Sequence, residues 1–139
     1  MLTAQEREDI QEVIRLAEKK TSGEIRVHID KKCSADPLKR AVEVFNKLRM
    51  FETKQRNGVL IYLSFSDRKL AIIGDQGINN VVPDDFWEST KNELIFRFKR
   101  NEFAQGIMDA VTEAGKQLKQ YFPVQSDDKN ELSNEITIE

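Results

Sequence analysis

Cysteine and histidine are nearly absent from this chain, with one residue of each among 139. Cys33 alone cannot form an internal disulfide, and no CxxC or Cys/His zinc pattern is present. The HExxH motif, the Walker loop, the GxSxG elbow and a Cys-x5-Arg phosphatase loop are missing too. The sequence offers no recognisable nucleophile or histidine base, which favours a non-enzymatic role.

Long apolar runs and a dominant charge are also missing. No window approaches the roughly 18 consecutive apolar residues of a transmembrane helix, and the opening MLTAQEREDIQEVI has no apolar secretory core. A net charge of −2 produces no field that attracts nucleic acid or anionic lipid. We therefore expect a cytoplasmic monomer that neither binds nucleic acid nor inserts into a membrane.

The first third of the chain shows clear boundary signals. Thr3-Ala-Gln-Glu6 is a capping box, and the apolar residues that follow at helical spacing predict a helix near 3–20. Apolar and polar residues alternate over 25–29, which is the period of a strand. Asp36-Pro37 is typical of the start of a second helix.

The middle of the chain predicts a buried hairpin. Residues 59–63 are apolar at every position, as expected for a central strand that is covered on both faces. Residues 69–74 form another β-rich run, and the four-residue link between the runs suits a hairpin. After a loop rich in Gly and Asp, Asp84 or Asp85 can cap a helix that ends near Arg100.

A last helix near 102–121 completes the order α-β-α-β-β-α-α. Such an order requires helices on both faces of a small mixed sheet, which is an α/β/α sandwich. Phe96 and Phe98 cannot both face inward from one helix, so we expect one of them to be exposed. We assign residues 1–122 to a single domain and interpret the polar segment 123–139 as a disordered acidic tail.

Strand direction separates the polar residues into two groups. If strands 25–29 and 59–64 run parallel and 69–74 returns antiparallel, one sheet edge carries Asp30, Cys33, Asp67 and Arg68. The opposite edge carries four carboxylates, together with Asn57 and glycines that let backbone carbonyls approach. Because hard divalent ions bind oxygen ligands, we predict a metal site there, formed by Glu24, Asp75, Asp84 and Asp85.

Each of these acids also has a structural interpretation. Asp84 or Asp85 can serve as a helix N-cap without any ion. Asp75 can be a turn residue stabilised by its own backbone, and Glu24 can pair with a lysine or arginine. No EF-hand spacing is present.

Asp67 and Arg68 are possible secondary site residues in the hairpin turn. An Asx-type turn, with the arginine covering the sheet edge, is the favoured alternative. Arg26 and Arg68 could engage a phosphate, since a guanidinium is a bidentate donor. His28 lies on a strand with an apolar alternate face, so we expect a packed residue rather than a base.

The order and spacing of several short phrases resemble the TPM domain family, also called the TLP18.3/Psb32/MOLO-1 family, over about residues 3–122. The matching phrases are Ser22-Gly23-Glu24-Ile25-Arg26-Val27, Ala41-Val42-Glu43-Val44-Phe45, Asn57-Gly58-Val59-Leu60-Ile61, Ser66-Asp67-Arg68, Gly74-Asp75-Gln76-Gly77-Ile78 and Val82-Pro83-Asp84. The resemblance implies a Rossmann-like three-layer α/β/α sandwich. It also implies binding of calcium or a similar divalent ion in some members.

The same resemblance leaves two classes of function. Some members have been proposed as acid phosphatases, whereas others are accessory domains of membrane or receptor-associated proteins. Many members carry a signal peptide and an anchor. The first hypothesis is a domain that binds calcium or magnesium and supports a protein partner. The alternative is a metal-assisted acid phosphatase of broad specificity, and a third possibility is a scaffold alone.

Overall fold

The structure of the chain, a computed structural model, describes residues 2–124 and 136–139. A four-stranded sheet in the order β3-β2-β1-β4 forms its centre. The strands are β1 (Glu24–Asp30), β2 (Gly58–Ser64), β3 (Lys69–Gly74) and β4 (Thr137–Ile138). The helices are α1 (Ala4–Glu18), α2 (Pro37–Lys47), α3 (Gln76–Asn79), α4 (Glu88–Lys99) and α5 (Phe103–Tyr121).

The residues predicted to start the first two helices are at those positions in the structure, but they stabilise the helix ends in different ways. Thr3 and Glu6 form the full capping box at the start of α1, which satisfies two backbone N–H groups that have no partner within the helix. Pro37 occupies the first turn of α2, where its missing N–H costs nothing. Asp36 is the N-cap of α2 by position, yet its side chain makes no capping hydrogen bond.

Strand β2 is the centre of the sheet, as its continuous apolar run predicts. All seven of its residues are buried. It pairs in parallel with β1, through the α2 crossover, and antiparallel with β3, through the hairpin. Its alternating side chains face two separate cores, since Val59, Ile61 and Leu63 belong to one cluster and Leu60 and Tyr62 to the other.

Helices cover both faces of the sheet, which confirms the three-layer α/β/α architecture. Helices α1, α4 and α5 pack on one face around the larger cluster, with α5 in contact with both α1 and α4. Helix α2 packs on the other face against β2 and β3. The carboxyl end of β1 therefore lies at the start of the segment that leads into α2.

The region after β3 differs from the prediction. Asp75 caps a short helix, α3, in the segment that was predicted to be a loop rich in Gly and Asp. The expectation that Asp84 or Asp85 caps the next helix is wrong, because α4 begins at Glu88 with Trp87 as its N-cap. Trp87 makes no side-chain capping hydrogen bond, so this helix starts without the polar cap that the sequence predicts. Phe98 is buried while Phe96 is 52% exposed, which confirms that only one of them faces inward.

Most of the predicted disordered tail, residues 125–135, lies outside the described ranges. At 136–139 the expectation is wrong, because β4 pairs in parallel with β1 at His28 and Ile29. Ile136 is 5% exposed and joins the larger core cluster. The two isoleucines bury apolar surface and β1 supplies an open edge, which together outweigh the polar composition of this segment. None of the described helices is long and apolar enough to cross a membrane.

Candidate functional site at the carboxyl end of strand β1

Asp75, a predicted metal ligand, is engaged by protein groups on both oxygens. The Arg56 guanidinium donates to Oδ2 at 2.7 Å and to Oδ1 at 3.0 Å, and the Gln76 N–H donates to Oδ1 at 2.7 Å. Arg56 itself has a left-handed backbone with φ 50°, two residues before β2 begins. Asp75 thus fastens the loop before β2 to the start of α3.

The other predicted ligands are dispersed. Asp84 and Asp85 are exposed in the turns before α4, where the carbonyl of Asp85 accepts from the Glu88 N–H. Glu24 is 4% exposed and opens β1, with its own N–H donated to the Asn57 carbonyl. Among the described residues, no three of Glu24, Asp75, Asp84 and Asp85 bring ligand atoms within 4.8 Å of one another.

Glu24 instead belongs to a carboxyl pair with the half-buried Glu18. Glu18 Oε2 accepts from the Ile25 N–H at 2.8 Å, whereas its buried Oε1 receives no hydrogen bond from the described residues. Burial raises the pKa of Glu18 to about 9, and the adjacent Glu24 carboxyl adds to this increase. At neutral pH Glu18 is therefore protonated and can donate to Glu24.

Asp67 and Arg68 point to different parts of the molecule. Asp67 accepts from the Cys33 N–H at 2.5 Å and so braces the segment after β1. Arg68 donates to the Phe98 carbonyl at 2.9 Å and to Asn101 Oδ1 at 2.7 Å, which ties the hairpin to the α4–α5 connection. The two side chains hold the fold together and do not share a site.

A different cluster of polar side chains lies at the carboxyl end of β1. Within the described ranges, one group of three or more acidic, histidine or cysteine side chains has its ligand atoms within 4.8 Å of one another, and it consists of His28, Asp30 and Glu139. Ligands of open α/β sheets bind in the crevice at the carboxyl ends of the strands. The group of His28, Asp30 and Glu139 lies at this end of the sheet.

Asp30 is the centre of the cluster. It is 4% exposed and accepts from Arg40 Nε at 2.8 Å, from the Tyr62 hydroxyl at 2.5 Å and from His28 Nε2 at 2.9 Å. Burial alone would raise the pKa of Asp30, but the hydrogen bonds from Arg40, Tyr62 and His28 outweigh it and lower the pKa to about 2. Asp30 is therefore ionised at any physiological pH.

His28 is held rigidly between two strands. Its ring is 1% exposed and stacks on Tyr62 with an interplanar angle of 11°. Nε2 donates to the ionised Asp30, and Nδ1 lies 2.6 Å from the Thr137 hydroxyl. The expectation of a packed histidine agrees with this burial, although its contacts are polar on both ring nitrogens.

Glu139 closes the cluster from strand β4. Its side chain accepts from Arg40 Nη2 at 2.6 Å and from Lys47 Nζ. Its backbone N–H donates to the Ile29 carbonyl at 3.0 Å, and its carbonyl accepts from the Lys31 N–H at 3.0 Å. A cavity of about 710 Å³ lies beside it, lined by residues that include Asp30, Arg40, Glu43 and Glu139.

The arrangement can bind charged groups of either sign. Asp30, Glu139 and Glu43 all converge on the guanidinium of Arg40, which occupies the position of a counter-cation. Equally, Arg40 and Lys47 hold the Glu139 carboxylate as they would hold another anion. A metal ion here would compete with Arg40, Lys47 and the Nε2 proton of His28 for the same ligand atoms.

Part of this cluster was accessible to sequence analysis. His28 and Asp30 are two residues apart on one strand, so they share a face and lie at its carboxyl end. The role of Glu139 was not accessible, because no local pattern connects the last residues of the sequence to the edge of β1. Arg40 was equally hidden, since a charged residue on a helix is normally solvated.

The fold and the carboxyl-end cluster define a three-layer α/β domain with a polar crevice at the end of its parallel strands. The sequence profile of the TPM domain matches residues 1–117. The chain therefore belongs to the TPM domain family, which confirms the resemblance carried by its short phrases. No curated protein matches the chain significantly.

Solved structures support the same assignment. The NMR structure of BA42 protein from the psychrophilic bacterium Bizionia argentinensis is 48% identical, with a TM-score of 0.94 over 100% of this chain and 96% of that one. The N-terminal domain of a protein from P. gingivalis is 18% identical, with a TM-score of 0.71 over 87% of this chain and 78% of that one. The N-terminal domain of cg2496 from Corynebacterium glutamicum is 11% identical, with a TM-score of 0.66 over 98% and 80%. These last two show a likeness of fold alone.

Proposed function

We propose that this TPM domain binds a divalent cation, calcium or magnesium, and has an accessory role toward a protein partner. The observation that carries the cation proposal is the convergence of His28, Asp30 and Glu139 within 4.8 Å. The low pKa of Asp30 supports it, because an ionised carboxylate is ready to coordinate a metal.

The types of ligand atom in the cluster indicate which cation is favoured. Two carboxylates and water suit calcium, magnesium or Mn²⁺, while the imidazole of His28 suits a softer transition metal such as Zn²⁺. Any cation must displace Arg40 and Lys47 from Glu139, so we expect weak binding, in the millimolar range for calcium. When bound, the ion would neutralise the acidic cluster and connect β1 to β4.

A calcium titration followed by amide NMR tests the proposal and locates the site. We expect the amide peaks of Asp30, Lys31 and Glu139 to move at millimolar calcium, while those of Gly74–Gly77, Asp84 and Asp85 stay in place. A parallel titration with Mn²⁺ should broaden the same three peaks first.

Two matched variants sharpen the result. Glu139→Gln removes one ligand charge and should weaken cation binding by about tenfold, whereas Asp84→Asn, an exposed acid near the other end of the sheet, should have no effect. Peaks that move at Gly74–Gly77, Asp84 and Asp85 instead would favour the ligand set predicted from the sequence. No movement anywhere at millimolar calcium, magnesium or Mn²⁺ would refute cation binding.

The accessory role is supported by an exposed apolar surface on α2 and not by the cluster at the carboxyl end of β1. Leu38 and Val42 on α2 are 53% and 47% exposed, beside β3, which pairs with a neighbour on one side only. Exposed apolar side chains next to an open strand edge are typical of interaction surfaces. Among the described residues no arrangement of nucleophile, base and orienting group accompanies them.

A metal-assisted acid phosphatase is the second candidate. It is favoured by one observation, the Arg40–Lys47 pair that already binds a carboxylate next to His28. We expect the pure protein to show no hydrolysis of p-nitrophenyl phosphate above a mock preparation, with or without added magnesium. Activity that co-purifies with the protein and disappears in Arg40→Gln would replace the accessory role by the phosphatase.

A further inference from the structure

Strand β4 is a short segment added to the edge of β1, and both of its faces make specific contacts. Ile136 and Ile138 pack against the larger core cluster on one face. On the other face Thr137 meets His28, and Glu139 meets Arg40 and Lys47 of α2. The edge of β1 thus accepts a pattern of apolar, small polar, apolar and acidic residues.

The backbone contacts at this edge do not depend on which chain supplies the strand. Glu139 donates its N–H to Ile29 and accepts from Lys31, the ordinary ladder of parallel strands. Any extended segment in the same register can make these bonds. Specificity comes from the two apolar positions and from the acid that pairs with Arg40 and Lys47.

Few interactions attach segment 136–139 to the rest of the domain. The ladder register contains two residue pairs, His28 with Thr137 and Ile29 with Ile138. Glu139 and Lys47 have side chains that are 38% and 61% exposed, and ion pairs at that exposure contribute little to stability. Short peripheral elements with few buried contacts open at far lower cost than the core.

We propose that the β1 edge is a strand-docking site, which segment 136–139 fills in cis and which an extended segment of a protein partner takes in trans. The partner segment has isoleucine, leucine or valine at two alternate positions, followed directly by an aspartate or glutamate. Its acid replaces Glu139 on Arg40 and Lys47. This inference rests on the accessory role proposed above. Because the cis segment carries Glu139, which is also a proposed cation ligand, docking is tested without metal.

The test uses the labelled peptide NEITIE, which copies residues 134–139, in a chelator so that no metal contributes. The full chain with Thr137→Pro is the opened variant. Because Glu139 bonds β1 through its backbone, alternation places the Thr137 N–H on the same side, and proline removes it. Thr137→Val is the matched control, since it keeps the N–H and the β-branched shape.

We expect the peptide to bind Thr137→Pro at least about tenfold more tightly than the unaltered chain. In the unaltered chain and in Thr137→Val, the cis segment competes at an effective concentration on the order of millimolar. A peptide with serine for both isoleucines should not bind, and one with glutamine for the last glutamate should bind more weakly. Ile136→Ser provides a second opened variant, and the amide spectrum of each variant confirms that the rest of the domain is folded.

Several outcomes would overturn the inference. A folded Thr137→Pro that does not bind the peptide at millimolar concentration excludes a docking site. Equal affinity for the opened and the unaltered chain places the peptide elsewhere. A concentration-dependent dimer of the unaltered chain that Thr137→Pro dissociates would assign the edge to a second copy instead. If the peptide does not bind while the calcium-induced amide shifts persist, the docking proposal fails and the cation proposal stands.

Discussion

Gly77→Ala should lower the free energy of unfolding by about 3 kcal/mol. A Cβ atom at this position would lie 2.0 Å from the Gln55 carbonyl oxygen and 2.6 Å from that of Arg56. Both distances are far inside the contact distance of about 3.5 Å. Because the obstacles are backbone atoms, no change of rotamer can relieve them. The loop before β2 must move as a whole.

That movement would break a connected set of bonds. The Gly77 N–H donates to the Arg56 carbonyl at 2.9 Å, and Arg56 in turn holds Asp75 with two hydrogen bonds. Chemical denaturation followed by circular dichroism measures the loss. Shifts of the Asp75 and Gln76 amides would show that the damage is centred on α3.

Gly74→Ala is the matched control. The three atoms nearest to its Cβ would be side-chain atoms of Ile78, at 3.1 to 3.3 Å. A side chain can adjust by a few tenths of an ångström, so we expect a loss of about 1 kcal/mol or less. If Gly77→Ala is no more destabilising than Gly74→Ala, the close packing of α3 on the 55–56 backbone is not what requires glycine.

Glu18→Gln should stabilise the domain, and the gain should grow as the pH rises. Burial and the Glu24 carboxyl hold the folded-state pKa of Glu18 near 9, far above its value of about 4.3 in an unfolded chain. Between these two values the unfolded state binds fewer protons than the folded state. Stability attributable to Glu18 is therefore fully present at pH 4 and falls as the pH rises toward 9.

Glutamine imitates the protonated acid at every pH. Its amide oxygen can still accept from the Ile25 N–H, and its NH₂ can donate to Glu24. We expect a gain of about 2 kcal/mol in the free energy of unfolding at pH 8 and almost none at pH 4.5. Urea denaturation at a series of pH values measures the difference.

Glu12→Gln on the exposed face of α1 is the control. Glu12 pairs with Arg15 at the surface, so its replacement should change stability little and with no such trend toward high pH. A Glu18→Gln gain that stays constant from pH 5 to pH 9 would contradict the raised pKa.

Local patterns were sufficient for most of the architecture. The capping box at Thr3 predicted α1, and the unbroken apolar run of β2 predicted a strand covered on both faces. Both signals are local, because they lie within the segment whose structure they predict. The same reasoning failed for α3, where one turn of helix carries too few residues for a period. It also failed for α4, which starts at Glu88 without a side-chain cap.

The sequence by itself determined the family, the three layers and the position of β2. Tertiary structure decided which acidic side chains meet at the candidate site. Asp75 looked available as a ligand, but the fold gives both of its oxygens to Arg56 and a backbone N–H. Asp30 and Glu139, far apart along the chain, meet because β4 adds to the edge of β1. The sequence around a carboxylate does not reveal its partner, because strand register and competition among nearby cationic side chains determine which groups meet.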